Sequence, residues 1–215
     1  MDKRALLIGG LLAVIAVALG SLLLREPDRP KLNLSPFAAL GAVAGEETSR
    51  LLHHTGTVVV VTEDPGRDGD PVVESQLGEF KAALRRSGAV RVKAVERMRT
   101  DPMTRFSTGG TMPPDQFAAV RTKHPDAAAL VLFVPFPVLP AAEQSAIKSG
   151  LQLMVVASAV VPGYRQLVGS GVIRLALVPK PAGTPAPPGT PRSTREWFDR
   201  DYMVVTPETA ELLPY

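Results

Sequence analysis

Cysteine is absent from all 215 residues, and this one absence excludes disulfides, thiolate metal sites, a thiol nucleophile and a lipid-modified amino-terminal cysteine together. It leaves the compartment open, since a bacterial envelope protein can do without disulfides. Runs of like charge are absent too. Lys and Arg number 24 against 21 Asp and Glu, a formal charge of +3, and they are spread along the chain without the concentrated basic face that phosphate binding needs, so nucleic acid is not expected as a partner. No G-x-x-x-x-G-K-[ST] loop exists and no G-x-G-x-x-G follows the first β-branched run, which removes the usual nucleotide cradles. Gly169-Ser170-Gly171 lacks the G-x-S-x-G spacing of a nucleophile elbow. The histidines are the adjacent pair His53-His54 and His124 beside Pro125, with no H-E-x-x-H zinc spacing. Neither a metal nor a cofactor is expected, and an enzyme ranks third among the functional classes considered below.

What the sequence does contain begins with a long apolar run. Ala5 to Leu24 (ALLIGGLLAVIAVALGSLLL) carries no charge over 20 residues and, at 1.5 Å per residue, makes about 30 Å of helix, enough to cross a hydrocarbon core. A cleaved signal peptide with Ala16-Val17-Ala18 as its A-x-A site competes, but the run is longer than a signal h-region and Leu22-Leu23-Leu24 continue it past that cut. The reading is an uncleaved single-pass signal anchor over 1–24. Lys3 and Arg4 on one side nearly balance Arg25, Arg29 and Lys31 on the other. The signal-like layout favours a cytoplasmic amino terminus, with the carboxy-terminal bulk extracytoplasmic, periplasmic in a bacterium. Gly9, Ala13, Ala16 and Gly20 form one stripe of small residues on this helix, suited to close packing against a partner helix.

Residues 25–36 read as a charged, proline-bearing spacer, and 37–215 as a single α/β domain, since the chain is too short for two separate cores. Phe37 to His54 predicts a helix. Apolar β-branched runs follow at Thr57–Thr62, Val90–Val95, Ala129–Pro135, Leu151–Ser158 and Val172–Val178, with Tyr202–Thr206 as a sixth strand. Between them lie helical segments at Pro71–Ser87, Pro114–Lys123, Pro140–Lys148 and Gly163–Ser170, and Thr209–Leu213 adds a final turn. In Pro71–Ser87 the stripe Val73, Leu77, Phe80, Leu84 opposes Glu79, Arg85 and Arg86, Asp70 is the expected N-cap and Gly88 the stop. Continuous apolar strands alternating with helices predict a doubly wound, mostly parallel sheet of five or six strands. Proline, at 21 residues about twice the usual share, punctuates these elements. It also fills a proline-rich arm over 179–193, expected to be an extended segment for a protein partner.

The order of elements, with Thr57 to Asp64 opening the sheet and Gly171-Val172-Ile173-Arg174-Leu175-Ala176-Leu177-Val178-Pro179 near its close, resembles one lobe of a sugar-type periplasmic binding protein over Thr57 to Val178. A flavodoxin-like domain describes the same pattern. The resemblance implies an α/β lobe whose cleft partner is missing. Such proteins grip a ligand between two lobes, this chain has length for one, and no binding residue is carried over.

Three places hold candidate chemistry. Beyond Val58-Val59-Val60-Val61, the loop with Glu63, Asp64, Asp68 and Asp70 can offer carboxylates to a cation or a cationic ligand, or can be a turn and helix cap. The loop Phe106 to Pro114, with Ser107, Thr108 and Thr111, can present amides to an anion near Arg105, or can be a connection capped by Thr111. Trp197, Phe198 and Tyr202 beside the proline-rich arm can anchor a partner interface or pack the last strand. The favoured reading is a membrane-anchored, non-catalytic accessory or scaffold subunit that meets protein partners through its helix and its arm. The competing one is an extracytoplasmic ligand-binding sensor or transport accessory, binding a small molecule at the carboxyl edge of the sheet.

Overall fold

The computed structural model describes residues 32–67, 69–150, 152–185 and 187–214. The apolar run 5–24, with its Gly9, Ala13, Ala16 and Gly20 stripe, lies outside the described residues, as does Asp68. Among the described residues no helix is long and apolar enough to cross a membrane. The unit Leu34–Tyr215 opens with helix α1 (Ser35–Leu51), followed by β1 (Thr57–Glu63), α2 (Pro71–Ser87), β2 (Arg91–Met98), α3 (Pro102–Ser107) and α4 (Pro114–Lys123). Then come β3 (Ala129–Leu132), α5 (Ala141–Lys148), β4 (Leu153–Ala157), α6 (Tyr164–Gly169), β5 (Leu175–Pro179), α7 (Thr194–Asp201), β6 (Tyr202–Val205) and a 3-10 segment, Pro207–Leu212.

The six strands form one sheet in the order β2-β1-β3-β4-β5-β6. All neighbours pair in parallel except β5 and β6, which are antiparallel. Val58, Val59, Val60 and Val61 are fully buried, because alternate residues of a strand point to opposite faces and both faces are covered. Val58 and Val60 join Leu77, Phe80 and Leu84 of α2, with Leu40 and Val43 of α1 and Phe198 of α7. Val59 and Val61 join Phe117 of α4, Ile147 of α5, Tyr164 of α6 and Leu213. The crossover after β1 therefore lies on one face and those after β2, β3 and β4 on the other, so the winding reverses between β1 and β3.

A single crossover helix cannot cover its face of such a sheet. α1 and α7 complete the cover, and α1 does so by approaching α2 until backbones nearly touch. A Cβ on Gly41 would lie 2.0 Å from the Gln76 carbonyl oxygen, and one on Gly45 2.7 Å from that of Phe80. The equal offset of the two pairs means that the helices run parallel. Arg195 of α7 lies 4.0 Å from Glu47 of α1. Past the end of α1, His53 and His54 turn the chain at φ +50° and +65°, a conformation that costs an L-residue energy. His54 is held there by its ring nitrogen, 2.7 Å from the Ser87 carbonyl, and by its own carbonyl, which accepts from Ala89 N–H. The histidine pair thus serves a turn.

Several boundaries differ from the sequence reading. Ser35 and Pro36, assigned to the spacer, are the start of α1, since proline is compatible with a helix's first turn. Residues 102–107 form a helix that was not foreseen, with Asp101 accepting from Met103 and Thr104 N–H at 3.0 Å as its N-cap. Thr194–Asp201 is likewise helical. Pro113 occupies the N-cap of α4 and no side chain caps it, so Thr111 is not the cap. Val134, Phe136, Val172 and Ile173 are buried but lie outside the paired strands, which is why apolar runs overstated strand length.

The glycine seam gives a direct test by urea unfolding. Gly41→Ala meets only backbone atoms, the nearest at 2.0 Å, and should cost about 2–3 kcal/mol as an overpacked contact, more than Gly45→Ala, whose nearest backbone contact is the Phe80 carbonyl oxygen at 2.7 Å. Gly78, exposed on α2 with nothing near its missing Cβ, is the control, and Gly78→Ala should stabilise by about 0.5–1 kcal/mol.

Candidate functional site

The loops that leave the carboxyl ends of β1, β2 and β3 converge beside the point where the winding reverses, the place where open α/β sheets bind ligands. Glu63, the last residue of β1, pairs with Arg105 of α3, carboxylate to guanidinium, at 3.0 Å. Thr100, Thr111, Met112 and Val134 line the same cleft. Met112 N–H donates to the Pro135 carbonyl at 3.0 Å and Asp64 N–H to that of Met98 at 2.9 Å, so the backbone ties all three loops together.

Cleft and lid differ in rigidity. β1 and β3 are wholly buried along their paired length, whereas α3 buries no residue; such an element opens at low energetic cost. The enclosed space is about 20 Å³, room for a water and far below the ~300 Å³ at which small-molecule pockets begin. The Glu63–Arg105 pair lines it, with side chains 48% and 54% exposed. An ion pair so exposed contributes about 0–1 kcal/mol. A solute offering donors to the carboxylate and acceptors to the guanidinium can therefore part them with little loss.

The candidate residues separate on this geometry. Glu63 and Thr111 line the cleft. Asp64 accepts from Gly66 N–H at 3.1 Å and closes a turn, while Asp70 accepts from Val72 and Val73 N–H at 2.8 and 3.5 Å as the N-cap of α2. The hydroxyls of Ser107, Thr108 and Thr111 donate to the carbonyls of Thr104, Arg105 and Thr108 at 3.0, 3.3 and 2.8 Å, so they satisfy the α3 turn from within. Arg105 enters the sequence reading only as a cation near the 106–114 loop; its pairing with Glu63 joins residues too distant in sequence for any motif to link. Phe198 is 1% exposed and stacks on Tyr202 at 5.7 Å, and Trp197 packs partly buried against the same cluster, so these aromatics pack the end of the domain. The described part of the arm is exposed up to Arg192 apart from Lys180 and Pro191, and Arg192 N–H donates to Glu196 of α7 at 2.7 Å.

A second depression on this edge, of about 190 Å³, lies between the loops after β3 and β4, where Tyr164 Oη accepts from Phe136 N–H at 2.7 Å. Burial holds the Tyr164 phenol above its ordinary pKa, so it stays neutral. Among the described residues no group of three or more His, Asp or Glu is placed to hold a metal.

No protein-family model matches this chain, and no curated protein does. Solved structures do match. An arabinose binding protein from Geobacillus stearothermophilus aligns at TM-score 0.54 and 16% identity, over 81% of this chain and 62% of its own. A glucose-galactose binding protein from the same organism aligns at 0.53 and 16%, over 83% and 62%. A sugar-binding protein of a sugar ABC transporter from Bacillus halodurans aligns at 0.53 and 16%, over 81% and 63%. The chain therefore spans less than two thirds of the length of these proteins, and the likeness is one of fold. The order of elements that resembles a sugar-type periplasmic binding protein lobe thus has structural neighbours among sugar-binding proteins.

Away from the cleft, one polar cluster bears on stability. Lys123 and His124, at the end of α4, both reach Glu96 of β2, at 2.9 and 2.7 Å. Hydrogen bonds from Lys123 first and His124 second hold the Glu96 carboxyl below its ordinary pKa. A carboxyl lowered in the folded state contributes stability above its unfolded pKa and loses it as pH falls through the folded one. Melting temperatures of Glu96→Gln and the unaltered chain should therefore differ at neutral pH and converge as the solution is acidified below the carboxylate range. A constant gap across that range contradicts the assignment.

Proposed function

We propose that this chain is a single-pass, membrane-anchored, non-catalytic binding accessory whose extracytoplasmic α/β lobe takes a small polar solute at the cleft between the ends of β1, β2 and β3. The observation that carries the reading is the Glu63–Arg105 pair, a weakly held carboxylate and guanidinium at the sheet's winding reversal, beneath a helix with no buried residue. The apolar run over 5–24 supports the anchor. The fold likeness to solute-binding proteins supports binding over catalysis, although fold alone does not fix function. Polyhydroxylated solutes suit the pair, because each hydroxyl both donates to a carboxylate and accepts from a guanidinium. Recruitment of the lobe to a membrane assembly through the helix stripe or the arm is compatible with this role.

Thermal shift of the purified chain against D-arabinose, D-glucose, D-galactose, nucleotides and divalent ions tests it, since a ligand that binds only the folded state must stabilise it. At least one polyol should raise the melting temperature, and Glu63→Ala and Arg105→Ala should each abolish that rise. Both sites are exposed, so their ligand-free stabilities should stay within about 0.5 kcal/mol of the unaltered chain. A flat screen, or a rise that survives both substitutions, rules the cleft out.

A further inference from the structure

The chain enters the α/β unit at one particular edge. α1 runs parallel to α2, with Gly41 against Gln76, Gly45 against Phe80 and Ser49 Oγ on the Ser87 carbonyl. α2 starts just beyond β1, so Ser35, like Pro71, lies at the carboxyl ends of the strands. This is the edge of the cleft. It is also where large apolar side chains stand in solvent. Among the described residues of Leu34–Tyr215 the exposed ones are Phe106 at 85%, Met103 at 75%, Val138 at 72% and Leu212 at 54%. The first three lie on connections leaving the carboxyl ends of β2 and β3, and Leu212 lies on the 3-10 segment after β6, between Glu211 and Leu213, whose carbonyls accept from Arg165 at the start of α6.

Single exposed hydrophobics need no explanation, but their gathering at the edge from which the chain leads to an uncharged apolar run has a physical consequence. Residues 25–34, at most about 35 Å when fully extended, lead from the apolar run to this edge. We propose that the carboxyl edge of the sheet rests on the membrane surface, with Met103 and Phe106 of α3 and Val138 entering the interfacial layer. The inference rests on the anchor part of the proposed function. The adjoining loops hold no cationic excess, with Arg67, Arg99 and Arg105 against Glu63, Asp64, Asp70 and Asp101 among the described residues. Contact is therefore apolar in origin, not electrostatic, and does not depend on anionic lipid.

The full chain with Trp197→Phe, its sole tryptophan replaced, carries single reporters at Phe106→Trp, Val138→Trp or, at the opposite edge, the exposed Thr122→Trp in the last turn of α4 before the amino end of β3. Each is reconstituted into phosphatidylcholine vesicles with and without nitroxide-labelled lipid, and circular dichroism melting confirms that each folds. Side chains at an interface enter roughly 5–10 Å, so emission at 106 and 138 should fall about twofold while emission at 122 stays unchanged. Adding phosphatidylglycerol should alter neither result. If a carbonate wash leaves the chain in the vesicles and the 106 and 138 reporters are not quenched, the membrane contact is refuted. If the wash strips the chain off, the anchor reading itself fails and takes the contact with it.

Discussion

The approach of α1 to α2 through Gly41 and Gly45 is the contact on which the rest of the domain depends. A parallel sheet has to be covered on both faces, and on the face of Val58 and Val60 the winding supplies one crossover helix. The remaining area over β3, β4 and β5 is closed by α1, which comes before the sheet in sequence, and by α7, which comes after its five parallel strands. Both helices reach that position only because α1 lies so close to α2 that a methyl group at residue 41 would collide with the Gln76 carbonyl. A looser seam would leave Ala129, Val131, Val155 and Leu177, all now within 1% of full burial, beside a gap that forfeits their packing.

That rigid body stands in contrast to what is mounted on its carboxyl edge. Buried strands fix Glu63 and the loop after β3. Opposite them α3 contributes Arg105, Met103 and Phe106 from a helix that buries nothing. Its two faces have separate uses in this account, one cation toward the cleft and two apolar side chains toward the membrane.

Much of this was legible in one sequence where local chemistry agreed with tertiary demand. Asp70, Pro71 and Gly88 mark the limits of α2 to the residue, and four consecutive valines are the buried first strand they appear to be. Elements without an apolar period escaped. α3 has no buried face to produce one, and its only signal was Asp101-Pro102, a cap followed by a favoured first-turn residue. The end of β2 escaped because an edge strand can carry Glu96 and Arg97. In α1 nothing local marks Gly41 and Gly45 as the residues that set its position, since glycine by itself only lowers helix propensity. The site was half legible: Glu63 stood out at the right edge, but its partner forty-two positions on becomes visible only when the sheet brings β1 and β2 together.

The central claim is that the carboxyl edge of the sheet is the working surface of this protein. Hydrogen exchange of the full chain, compared between detergent micelles and lipid nanodiscs, tests it most directly, because exchange resolves which segments change their surroundings. The account expects added protection in nanodiscs over 99–113 and 133–140, with the exposed edge of β2 and the arm over 187–192 unchanged. Protection confined to the arm or to β2, with 99–113 unaltered, would contradict it.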